Sequence, residues 1–142
     1  MGTKQDTDGG FSNDEKKAMK ERAAEAKRTK SAEADAAACA EKIAAMEPSD
    51  RVLAEAVHAI VTAAAPDLTP KTYYGMPAYA RGGKVVCFFQ ESGKFKTRYC
   101  TLGFQDTANL DDGQSWPTSY AITAIGPTEK KLIDALVKRA VR

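Results

Sequence analysis

The chain has 142 residues, of which 21 are Lys or Arg and 19 are Asp or Glu. This length suits one domain, and the charge content is ordinary for a globular protein. Residues 1–32 hold eight basic and six acidic residues, whereas residues 33–142 hold thirteen of each. Such a neutral folded part argues against nucleic-acid binding, which needs a strong basic surface. No apolar run reaches the length of a membrane span.

The compartment is suggested by the cysteines and by the N-terminus. Cys39, Cys87 and Cys100 are odd in number and show no close spacing, which is typical of free thiols in a reducing compartment. The first residues, MGTKQDTDGG, lack the apolar segment of a secretory signal. We therefore expect a cytoplasmic protein that does not contact membranes.

The N-terminal part is predicted to be a tail followed by one helix. Residues 1–10 are polar and contain Gly9-Gly10, so we expect disorder there. Ser12 and Glu15 have the spacing of a capping box, and good helix formers follow from Asn13 to Arg28. Because this helix has few apolar residues, we predict that residues 1–32 are a disordered tail and a loosely attached helix.

Residues 33–142 begin with two amphipathic helices and end with another. The segment AEADAAACAEKIAAM has one apolar face and ends at Glu47-Pro48. The next helix is predicted to be capped by Ser49 or Asp50 and to stop at Pro66. Gly126-Pro127-Thr128 opens the last one.

Between these helices lie short segments rich in β-branched and aromatic residues, which predict strands. Gly82-Gly83 is expected to form a two-residue hairpin turn, and Glu91-Ser92-Gly93 a second turn. VVCFF is apolar at every position, which is typical of a central strand covered on both faces. The fold class is therefore α+β: an antiparallel sheet of about five strands with helices packed on it, plus the N-terminal helical arm.

One motif carries a family resemblance. The residues from Tyr74 to Tyr79 read Tyr-Gly-Met-Pro-Ala-Tyr and follow a helix that ends in Ala65-Pro66. This pattern resembles the YdhG-like bacterial domains of unknown function, over about residues 43–141. The family is similar in fold to frataxin, and at least one member is described as an iron chaperone. The resemblance thus implies a bacterial α/β sandwich, with iron binding as one possible activity.

The same stretch has a structural and a functional interpretation. Gly75 permits a positive φ, and Pro77 keeps Met76 out of helical conformation, so the motif serves as a corner between two strands. Alternatively, the aromatic residues form a ligand-binding cleft bounded by Tyr74, Met76, Tyr79 and Trp116. We predict that one of Tyr73 and Tyr74 is buried, while the other lines a concavity near Trp116.

Two further segments are candidate sites. In KFKTRY, read as a strand, Lys94, Lys96 and Arg98 share one face. That face is either solvated or able to hold an anion, for which Arg98 is the proposed ligand. The loop containing Asp106, Asp111 and Asp112 is the densest carboxylate group and a candidate for a hard cation, although it lacks EF-hand spacing.

The residues argue against an enzyme. His58 is the single histidine, it is predicted to lie on the surface, and no paired general acid and base is recognisable. We therefore expect a non-enzymatic protein without a cofactor that binds a small molecule or a protein in the aromatic cleft. The alternative is a frataxin-like iron-binding chaperone. Frataxin-type iron binding uses clustered carboxylates, whereas the carboxylates of this chain are spread around its helices.

Overall fold

The computed structural model describes residues 12–142, apart from the side chain of Arg28. The predicted disordered tail of residues 1–10 lies outside this range. The chain divides into two compact units, Met1–Glu33 and Ala34–Arg142. The Ser12 Oγ accepts a hydrogen bond from the Glu15 N–H at 3.1 Å, so the Ser12 half of the predicted capping box is formed.

The first helix, α1, runs without a break over Asn13–Ala44. The prediction of two separate helices, the first ending at Arg28, was wrong. No Gly or Pro occurs within the range, so nothing forces a break. Thr29, a weak helix former, donates its hydroxyl to the Glu25 carbonyl at 3.1 Å and is accommodated within the helix.

The other helices belong to the second unit: α2 (Pro48–Ala64), α3 (Ser92–Phe95) and α4 (Pro127–Ala140). Helix α2 begins at Pro48 with Glu47 as its N-cap, so neither Ser49 nor Asp50 is the cap. Proline suits the first helical position because its missing N–H needs no partner there. Among the described residues, no helix combines the length and apolarity required to cross a bilayer.

The sheet has five antiparallel strands in chain order: β1 (Thr69–Tyr73), β2 (Met76–Arg81), β3 (Lys84–Gln90), β4 (Cys100–Phe104) and β5 (Ser119–Ile122). Strand β3, which contains VVCFF, lies in the middle as predicted. Gly82 and Gly83 have φ of 60° and 81° and connect the paired residues Arg81 and Lys84. The predicted two-residue hairpin turn is therefore confirmed, and so is the α+β fold class.

The two faces of the sheet differ. Tyr79, Cys87 and Phe104 are cross-strand partners on one face. They belong to a core cluster that includes residues of α2, α4 and the C-terminal part of α1. Because side chains alternate along a strand, Met76, Ala78 and Phe88 point to the second face, and none of them belongs to that cluster.

Candidate functional site

The turn between β1 and β2 consists of Tyr74 and Gly75. Their φ values are 50° and 75°, and the flanking residues Tyr73 and Met76 are paired. A two-residue hairpin turn with two positive φ values favours Asn-Gly, because both residues tolerate the left-handed region. The predicted positive φ of Gly75 is confirmed. The corner is Tyr-Gly rather than Gly-Met-Pro, since Met76 already begins β2 and Pro77 is buried within it.

Three aromatic rings meet beside this turn, and we call Tyr73, Tyr74 and Phe88 the aromatic surface. The ring centroids of Tyr73 and Tyr74 are 4.7 Å apart, with an edge-to-face angle of 70°. Those of Tyr73 and Phe88 are 5.7 Å apart. Tyr73 and Phe88 are half-buried, whereas Tyr74 is 81% exposed. The rings thus form a continuous patch on the second face of the sheet, open to solvent at Tyr74.

Residues at the end of β4 support the aromatic surface, and a lysine of α3 lies beside the turn. The Gln105 side chain donates a hydrogen bond to the Tyr73 hydroxyl at 2.9 Å. Gly103 lies beneath the Phe88 ring, and a Cβ at that position would overlap it. The Lys94 ammonium lies beside Gly75, where an added Cβ would be 2.6 Å from Nζ. A cation therefore lies beside the Tyr74–Gly75 turn, with its ammonium 5.4 Å from the Phe95 ring centroid.

The structure does not bring together the four residues of the predicted cleft, Tyr74, Met76, Tyr79 and Trp116. Tyr79 is 0% exposed and lies in the core, and Trp116 also packs against the core cluster. Met76, 7% exposed, points to the second face, and Tyr74 extends from the turn. Tyr73 and Tyr74 do differ in burial, but Tyr73 is only half-buried and neither ring joins the core. Phe88, Gly103 and Gln105 were missed, although Phe88 and Phe89 are adjacent in VVCFF, and side-chain alternation therefore places one of the two rings on the second face.

The predicted basic strand is also absent. Residues 92–95 form α3, Lys96 is left-handed with φ of 54°, and β4 begins only at Cys100. Arg98 is exposed in the intervening loop, with its guanidinium 5.1 Å from the Tyr99 ring centroid. Lys94, Lys96 and Arg98 therefore do not form a row along a strand.

Helix α3 is held by a buried carboxylate. Asp50 is 3% exposed and accepts hydrogen bonds from the Ser92 hydroxyl at 2.7 Å and the Gly93 N–H at 2.9 Å. The Cys100 thiol donates a third at 3.3 Å. Burial alone would raise the pKa of Asp50, but these hydrogen bonds outweigh it and hold the pKa below its usual value. Because these contacts hold α3 and the first residue of β4 in place, Asp50 has a structural role.

A second polar cluster lies between α2 and the sheet. His58 Nδ1 lies 2.9 Å from the Tyr79 hydroxyl, and His58 is half-buried rather than on the surface as predicted. Burial lowers the pKa of His58 and raises those of Tyr79 and Cys39. A hollow of about 220 Å³ adjoins His58 and Glu55 on one side and α1 on the other. The neutral imidazole is thus favoured. Its hydrogen bond with the Tyr79 hydroxyl connects α2 to β2.

The metal candidates lie on the surface. Asp106, Asp111 and Asp112 are exposed. Within the part of the chain that the structure describes, no three His, Cys, Asp or Glu side chains are grouped so that they could hold a metal ion. Cys39, Cys87 and Cys100 are free and buried, and burial raises the pKa of Cys87 to about 12. These thiols belong to the core.

No protein-family model, curated protein or solved structure significantly matches the chain. The resemblance to the YdhG-like domains and to frataxin accordingly stays a prediction.

Proposed function

We propose that the Ala34–Arg142 unit is a binding module without catalytic activity, and that its ligand contacts the aromatic surface. The observation that carries this proposal is the placement of Tyr74. Its backbone is left-handed with φ of 50°, and its side chain is 81% exposed.

Stability does not account for a tyrosine at this position. A non-glycine residue held in the left-handed region costs on the order of 1 kcal/mol, and Asn or Gly would avoid most of that cost. Burial of the ring stabilises the turn little, because the side chain is 81% exposed and packs edge-to-face with Tyr73 at the surface. Strained residues concentrate at functional sites, so the strain at Tyr74 supports a binding role.

The surroundings suggest the chemistry of the ligand. Tyrosine rings provide a large, rigid contact area and a hydroxyl, and they are enriched at protein interfaces. The nearby Lys94 ammonium would favour an acidic group beside the rings. Because exposed tyrosine rings are enriched at protein interfaces, a protein segment with an aromatic or proline residue is the favoured ligand, and a small planar molecule is the alternative.

Site-specific crosslinking can test this proposal. The photoreactive residue p-benzoylphenylalanine would replace Tyr74, and in a matched control it would replace Leu132, which is 49% exposed on α4. After irradiation in cell extract, we expect one predominant adduct from position 74 that is absent from position 132. Native mass spectrometry of protein purified from its own host would reveal a retained small molecule.

The variant Tyr74→Asn separates binding from folding. Asn suits the left-handed position, so the melting temperature should stay equal or rise, while affinity for the captured partner falls. Equal adducts from positions 74 and 132, with no retained small molecule, would count against the proposal. So would unchanged partner affinity in Tyr74→Asn.

A further inference from the structure

A groove of about 490 Å³ lies between α2 and α4, away from the aromatic surface. Its volume is in the range of small-molecule sites. The walls are formed by Ala59, Ile60 and Ala63 from α2, and by Pro127, Lys130, Lys131 and Asp134 from α4. None of these residues takes part in the hydrogen bonds that position the aromatic rings.

The α2 wall of the groove is apolar. Ala59 and Ala63 are one helical turn apart and exposed, and Ile60 lies beside them as part of the core. An exposed helix face normally carries polar or long side chains. The small methyl groups leave room for a guest and give it an apolar wall, which suits a hydrocarbon chain.

The α4 wall is cationic. Lys130 and Lys131 are exposed, and within residues 12–142 neither is in salt-bridge contact with a carboxylate. Asp134, the acidic lining residue, is paired with Lys138 at 3.0 Å, so its charge is offset from outside the groove. The lysines also lie in the first turns of α4, where the helix dipole is positive. The net field in the groove therefore favours an anion.

From this combination we propose that the α2–α4 groove binds a single-chain aliphatic carboxylate. The hydrocarbon chain lies along Ala59, Ile60 and Ala63, and the carboxylate contacts Lys130 and Lys131. The complementarity is of two kinds: apolar surface for the chain, and unpaired positive charge for the head group.

Calorimetry and ¹H–¹⁵N spectra of the full chain with decanoate as the probe test this. We expect saturable binding, with shifts concentrated at residues 59–63 and 127–134. Decanol lacks the charge and propionate lacks the chain, so each should bind about tenfold more weakly or worse. Decyltrimethylammonium, with the opposite charge, should not compete.

Variants separate the two walls. Replacing both Lys130 and Lys131 with Gln should weaken decanoate binding about tenfold and leave that of decanol unchanged. Ala63→Phe should fill the groove and weaken both. Lys84→Gln, at an exposed hairpin position, is the charge control and should leave decanoate binding unchanged. Melting curves identify any variant that fails to fold, and the ligand series on the unaltered chain needs no variant.

Three results would overturn the proposal: decanoate binding that does not saturate, decanol binding as strong as decanoate binding, or spectral shifts outside residues 59–63 and 127–134.

Discussion

The Tyr79 hydroxyl lies 2.9 Å from His58 Nδ1, so a hydrogen bond inside the protein connects the central part of β2 to α2. Tyr79 is fully buried, and its phenol has no access to water that could replace this partner. The ring itself fills the core beside Cys39 and Cys87. The pair therefore couples α2 to the sheet within apolar packing, and the Tyr79 side chain also has a hydrogen-bond contact with Cys39 of α1.

Tyr79→Phe should lower the free energy of unfolding by about 1 kcal/mol, because it removes the hydroxyl and leaves a half-buried imidazole nitrogen without that partner. Tyr120→Phe is the matched control, since the Tyr120 hydroxyl makes no hydrogen bond among the described residues. Urea unfolding of the three proteins measures the difference. Equal losses in both variants would show that the His58 contact is not the cause.

His58 should also make stability depend on pH. Burial lowers its folded-state pKa below the ordinary value of 6.5, so the folded protein prefers the neutral ring. The stabilisation is present above pH 6.5 and is lost as the pH falls through the folded pKa. Glu55, which lines the same hollow, would counter this shift if it approached the ring. An NMR titration of the imidazole gives the pKa directly, and His58→Gln should flatten the stability profile below pH 6.5. A titration midpoint above 6.5 would contradict the expected sign.

Asp50→Asn should destabilise the unit by about 1–3 kcal/mol, since the amide N–H₂ would face a hydrogen-bond donor at Gly93 or Ser92. Asp111→Asn, at an exposed position, is the control and should have little effect. The lowered pKa of Asp50 adds a pH signature. Its stabilisation is present above the ordinary value of 3.8 and is lost as the pH falls through the lower folded value. Acid unfolding that is identical in the original chain and Asp50→Asn would refute this role.

The strands and their order were predictable because the relevant signals are local. Gly82-Gly83 marks one hairpin, and the apolar run from Val85 to Phe89 identifies the central strand. Gly75 likewise required a positive φ. These features depend on neighbours within a few residues, where backbone geometry and side-chain alternation determine the structure.

The incorrect predictions concern segments whose structure depends on residues that are distant in the sequence. Ser92 and Gly93 form a helical turn because Asp50, more than forty positions earlier, accepts their hydrogen bonds. No local pattern contains that carboxylate, so Glu91-Ser92-Gly93 was predicted to be a turn and residues 94–99 a strand, whereas residues 92–95 are helical. Similarly, alternation alone cannot reveal which face of β2 the helices cover, and so Tyr79 was grouped with Tyr74 although their environments differ.

Ferrous iron should bind weakly to the protein. Asp106, Asp111 and Asp112 are exposed, and hard cations need several oxygen ligands converging on one point. Anaerobic titration followed by mass spectrometry measures the stoichiometry. Tight equimolar binding that is abolished in the Asp111→Asn, Asp112→Asn double variant would instead favour the iron-chaperone alternative.

Gly103→Ala tests how the aromatic surface is supported. The new Cβ would overlap the Phe88 ring, so the ring must move or β4 must shift, at a cost of about 1–3 kcal/mol. If the clash is the cause, the same substitution should cost less in a Phe88→Leu background, where the ring is absent. A double-mutant cycle of unfolding free energies isolates this coupling. Because Phe88 packs against Tyr73, Gly103→Ala should also perturb the Tyr73 and Tyr74 ring resonances. A penalty that is equal in both backgrounds would mean that Gly103 is required for another reason, such as the backbone of β4.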